Sequence, residues 1–198
     1  MNKKSASARD IVVMGGSAGS AQALARILSA LPEDFAAAVI ACVDAPATLN
    51  EASWPQKPGG LQTRLPCHYA REGTKLIAGT VFLIPSDVQG LVSSEGRVSL
   101  RQRSAEVAAL PRRVDALFSS VATAFGRRVI GVVLSGNDTD GTEGLEAIES
   151  HGGMGIVQSP VDAVASRAPA HAVSADHPDR VAMLDEIPRL LVQWTRAS

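Results

Sequence analysis

Short runs of consecutive apolar residues recur along the chain, separated by segments whose apolar positions fall three and four apart. Residues 11–14 form such a run and end at Gly15-Gly16. A continuous apolar run that stops at glycines is the pattern of a parallel strand buried on both faces. Residues 36–43, 80–84, 129–134 and 155–158 read the same way. Helical spacing appears over 21–31 (Leu24, Ile27, Leu28, Leu31) and over 113–125 (Val114, Leu117, Phe118, Val121). It appears again over 145–150 and, despite Pro188, over 183–196. Residues 91–94 and 98–101 flank Glu95-Gly96 and predict an antiparallel hairpin at a sheet edge. The stretch 45–60, rich in Pro and Gly, predicts a loop with at most one helical turn near 49–53.

Strands alternating with helices predict an α/β fold of three layers, α/β/α. Its sheet is mostly parallel and doubly wound, with the antiparallel hairpin at one edge. The length of 198 residues suits a single domain over 10–198 behind a disordered start at 1–9.

Composition narrows the partners. A net charge of −1 and 4% aromatic residues do not favour nucleic acid or an anionic membrane surface. The basic start "MNKKSASARD" precedes too few apolar residues for a signal segment, and no run approaches a membrane span. A cytoplasmic protein without membrane insertion is expected. Cys42 and Cys67 are too few for a disulfide framework, and Cys42 reads as a buried small hydrophobe. His68, His151, His171 and His177 lack metal-ligand spacing. No metal and no cofactor are expected; Asp44 and Asp140 together are thin support for a cation.

Ligands of open α/β sheets bind beyond the carboxyl ends of the strands, which directs attention to "GGSAGS" after residue 14. Three readings compete there. A dinucleotide loop needs Gly-x-Gly-x-x-Gly, but Ser17 and Ser20 stand where the second and third glycines belong. A nucleophile elbow matches Gly15-Gly16-Ser17-Ala18-Gly19, with Ser17 presented at a sharp strand-to-helix turn. The third reading makes Ser17 a small polar helix cap.

Five collinear segments resemble one family. They are "VVMGGSAGSAQAL", "LPEDFAAAVIACVDAP", "REGTKLIAGTVFLIPSD", "RRVDALFSSVATAFGRRVIGVVLSGNDTDGTEGL" and "GGMGIVQSPVDAVASRAPAHAV". Together, over roughly residues 10–195, they resemble the catalytic domain of the chemotaxis protein-glutamate methylesterase family, CheB. The resemblance implies hydrolysis of glutamate methyl esters, and deamidation of glutamines, on chemoreceptors by a Ser–His–Asp triad. Ser17 matches the nucleophile and Asp140 the triad aspartate. Gly16, Ala18, Gly19, Asn137 and Asp138 fall where the oxyanion site and its lining are expected.

The triad histidine does not carry over: its position falls on Asp44, or on Val43 with a one-residue slip. A family arginine falls near Leu110 or Pro111, and a family methionine on Asn137 or Asp138. The helix after the second strand is broken by Pro55 and Pro58-Gly59-Gly60. A carboxylate ordinarily ionises near 4, roughly two units below an imidazole, and is a far weaker base for a serine hydroxyl. His171 is the substitute base with a plausible route to the site, through the loop after residue 158.

Two functions follow. One is a divergent esterase of weak or lost activity. The other is a non-catalytic domain that binds a receptor or another signalling protein. The partner expected is a chemoreceptor-like protein with carboxyl-methylated glutamates, or another signalling protein. The family's N-terminal receiver domain is not expected in this chain, because about ten residues precede the first strand.

Overall fold

A computed structural model describes residues 9–44, 63–102, 112–175 and 178–196. Among the described residues seven strands form one parallel sheet. Strand β1 (Ile11–Gly16) lies between β2 (Ala38–Val43) and β7 (Val129–Val133), and all three are buried throughout. Outside β2 come β4 (Val81–Leu83) and the edge strand β3 (Cys67–Tyr69). Outside β7 come β8 (Met154–Gln158) and the edge strand β9 (Arg180–Ala182). The order is therefore β3-β4-β2-β1-β7-β8-β9.

Alternation along β1 divides the core in two. Val12 and Met14 face α1 (Ser20–Ala30) and α5 (Ile187–Arg196), packing with Leu24, Ile27, Leu28, Ile187 and Leu191. Ile11 and Val13 face the opposite layer, which holds α2 (Arg113–Phe125) and α3 (Thr142–Ser150). There Val114, Leu117, Phe118 and Val121 of α2 are buried, the four positions whose spacing predicts this helix. The predicted α/β/α sandwich is the observed one.

The antiparallel hairpin also forms, as β5 (Val88–Val92) and β6 (Val98–Gln102). It is a two-stranded sheet of its own and does not extend the edge of the large one. Val88, Val92 and Val98 bury against the α2 layer, so packing on a helix replaces pairing with the sheet.

Three elements have no counterpart in the sequence pattern. Strands β3 and β9 are three residues long and gain their definition from pairing with β4 and β8. Helix α4 (Arg167–Ala175) contains Pro169. Pro169 stands in the first turn, where no intrahelical partner exists for its missing N–H. The same holds for Pro188 in α5, which starts at Ile187 and not at residue 183. Pro55, Pro58-Gly59-Gly60, Leu110, Pro111, His177 and the turn near 49–53 lie outside the described residues.

Candidate active site

Strand order reverses between β1 and β7: the chain proceeds outward from β1 through β2 on one side and through β7 and β8 on the other. The carboxyl ends of β1 and β7 therefore diverge into a crevice, where doubly wound sheets place their ligands. Ser17 follows β1 there, and Ser135 through Asp140 follow β7. A cleft of about 600 Å³ opens at this point, with Gly16, Ser17, Asp44, Arg113, Asp138 and Asp140 on its walls. Ser86, Asp87, Arg112 and Val114 complete it.

The Ser17 turn is held from below. Its N–H donates to the Ser135 carbonyl at 3.1 Å, and its own carbonyl accepts the Ser20 N–H and hydroxyl. Gly16 must be glycine because a Cβ there would lie 2.5 Å from the Ser135 carbonyl oxygen. Gly19 precedes α1 at φ +81°, a left-handed conformation that costs glycine little. The turn is thus a tight strand-to-helix corner, and Ser17 is not a side-chain cap of α1.

The Ser17 hydroxyl oxygen accepts a hydrogen bond from the Asn137 amide at 3.0 Å. The carbonyl of Ala18 accepts the buried Ser135 hydroxyl at 2.7 Å, and the Gly19 carbonyl accepts the Ala23 amide. Asp138 is exposed and accepts the Asp140 amide at 3.1 Å, which shapes the loop.

Asp140 turns inward. Its two carboxylate oxygens accept the amides of Val114 and Asp115 at 3.0 and 2.9 Å, the free N–H groups of the first turn of α2. Burial pushes its carboxyl up to about 6, and the neighbouring Asp115 carboxylate adds to the rise. The two amide bonds oppose this shift, since they favour the ionised form.

Asp44 follows β2 on the far wall. Its amide donates to the Ser20 hydroxyl at 3.4 Å, which links it to the Ser17 turn. Its carboxylate Oδ1 lies 3.0 Å from Nη1 of Arg113. Arg113 is buried and also donates to the carbonyls of Val88 and Pro85.

No histidine lines this cleft among the described residues. His171 lies in α4, exposed, with Nδ1 3.0 Å from the Thr142 hydroxyl. The loop expected to carry it towards Ser17 is a helix. His68 is exposed on the edge strand β3, and His151 closes the C-terminus of α3 with Nδ1 2.7 Å from the Ala147 carbonyl.

A family model described as CheB methylesterase matches residues 12–191. The chain belongs to the CheB methylesterase family. It is 37% identical over 189 residues to the "protein-glutamate methylesterase/protein-glutamine glutaminase 2" of Anaeromyxobacter dehalogenans, covering 94% of this chain and 54% of that protein. It is 32% identical to the "protein-glutamate methylesterase FrzG" of Myxococcus xanthus, covering 93% of this chain and 54% of that protein. The chain thus spans about half the length of the curated relatives it matches. The crystal structure of the Thermotoga maritima CheB methylesterase catalytic domain superposes with a TM-score of 0.80 at 23% identity. That superposition covers 93% of this chain and 97% of the other, and the two share the CheB fold.

Several residues that build this site were not assigned a part in it by the sequence. Ser20, Arg113, Ser135 and Gln158 are buried polar side chains, each joined to an element distant in the chain. A short polar residue beside a glycine turn could have flagged Ser20. Arg113 sits on a helix whose apolar face hides what its own side chain does.

Proposed function

We propose that this chain is a CheB-type domain directed at carboxyl-methylated glutamyl side chains of a chemoreceptor-like protein. In this reading Ser17 holds the nucleophile's position and Asp140 the triad aspartate's, while the histidine's position belongs to Asp44. Ester hydrolysis and glutamine deamidation are accordingly weak or lost.

The observation that carries the reading is the Asp44–Arg113 ion pair inside the cleft that exposes Ser17. Hydrolysis of a methyl ester needs the Ser17 proton removed as Oγ attacks, and a proton delivered to the departing methoxide. An imidazole does both near neutral pH. A carboxylate tied to a guanidinium is poorly suited to either. In this reading Asn137 lines the oxyanion site, and the hydrogen bond from its amide to the Ser17 hydroxyl supports keeping Ser17 at the centre of the site. Loss of one triad member in a serine hydrolase lowers the rate by about 10⁴-fold or more.

The same pair favours a second reading, in which the domain binds its receptor or another signalling protein without turnover. A fluorophosphonate probe separates the two extremes. Wild type is expected to label at Ser17 several orders of magnitude more slowly than a complete triad, and Ser17→Ala not at all. Labelling at an ordinary serine-hydrolase rate that vanishes in Ser17→Ala would overturn the proposed loss of activity.

A further inference from the structure

We infer that Arg113 is a positioning residue that fixes Asp44, so that the two side chains occupy the base position as one unit. The inference rests on the assignment of Ser17 and of the Asp44 position proposed above.

The pair is lopsided. The Arg113 side chain is 9% exposed, and that of Asp44 is 55% exposed. Nε donates to the Val88 carbonyl at 3.1 Å and Nη2 to the Pro85 carbonyl at 3.0 Å. These bonds hold the guanidinium at the junction of β4, β5 and the start of α2 whatever stands at residue 44. Asp44 is the element held, through Nη1 at 3.0 Å. Carbonyls satisfy the N–H groups of a buried guanidinium but do not neutralise it, and Asp44 supplies the opposite charge.

A consequence follows for any attempt to rebuild the triad. An imidazole at residue 44 would leave Arg113 buried without its counter-ion and would stand beside a fixed positive charge. That charge disfavours the imidazolium, the state a base must enter on taking the Ser17 proton. A base cannot be restored at residue 44 until Arg113 is released.

The test compares Asp44→His, Arg113→Gln and the double variant in the whole chain. Glutamine retains an amide that can reach a backbone carbonyl. The introduced imidazole is titrated by NMR, and Ser17-dependent fluorophosphonate labelling is timed. In Asp44→His the imidazole is expected to titrate below its ordinary value of about 6.5, and in the double variant to return towards it. Labelling is expected to rise at least about tenfold from Asp44→His to the double variant. Asp87, Arg112, Asp138 and Asp140 also line the cleft and are common to both backgrounds, so the difference reports Arg113. Equal titration in the two backgrounds overturns the pairing and leaves the Ser17 assignment standing. A titration that recovers in the double variant supports the pairing, and labelling that then stays at the Ser17→Ala level counts against the Ser17 reading instead. If Asp44→His does not fold, the cycle is run with Asp44→Asn and read by urea midpoint. The double variant is expected to recover part of the single-variant losses, and additive losses overturn the inference.

Discussion

Asp115 and Asp140 exchange helix caps. Asp140 accepts the first amides of α2, the helix that carries Asp115. Asp115 in turn accepts the amides of Gly141 and Gly144, both at 2.8 Å, at the start of α3. Each carboxylate sits at the positive end of a helix, where negative charge is favoured. The exchange welds the loop after β7 to the α2–α3 layer and so fixes one wall of the cleft.

Asp115 is 6% exposed, so removing its carboxylate leaves buried amides without an acceptor. Asp115→Ala is expected to lower stability by about 1–3 kcal/mol, the cost of leaving such donors unpaired. Urea unfolding checks this, and a loss below about 0.5 kcal/mol would mean that water or a neighbour replaces the caps.

Asp140 should make stability depend on pH. Its folded value of about 6 lies above the ordinary carboxylate value, so the folded protein holds the proton more tightly than the unfolded chain. That contribution is complete below about pH 4 and disappears as pH rises through about 6. The melting temperature of wild type relative to Asp140→Asn is therefore expected to fall between pH 4 and pH 7. A difference that stays flat or rises over this interval contradicts the shift.

Ser135 and Gln158 support the Ser17 turn from inside. The Ser135 hydroxyl donates to the Ala18 carbonyl and accepts the Ala165 amide at 2.8 Å. Gln158 accepts the Ser135 amide at 2.9 Å and donates to Asp162 at 3.3 Å. Ser135→Ala is expected to cost about 1–3 kcal/mol and to speed hydrogen exchange at the Ser17 and Ser20 amides. Unchanged exchange there would show that β1 alone holds the turn.

Burial pushes the Cys67 thiol up to about 12. Cys42 is 1% exposed. Thiolate is the reactive form, so native protein is expected to react with iodoacetamide far more slowly than protein in urea. Rapid native alkylation at Cys67, located by mass spectrometry, would show that β3 leaves the edge of the sheet.

The pattern of the sequence determined the strands β1, β2, β4, β7 and β8, the β5–β6 hairpin, the helices α1, α2, α3 and α5, and the three-layer class. Those elements carry their own periodicity, because each buries a continuous run or a helical stripe. It also singled out Ser17, since glycines on both sides of a serine after a buried run permit a sharp strand-to-helix turn that larger residues would not. Tertiary structure alone decided the rest. Strands β3 and β9 are too short to be read without the neighbours they pair with. Helix α4 lies behind a proline that is harmless in a first turn. The bond between Arg113 and Asp44 joins residues far apart in sequence. Local sequence reports propensity and burial. A half-buried ion pair depends on which loops the sheet brings together, and this one forms where the segment after β2 meets the start of α2 beside the Ser17 turn.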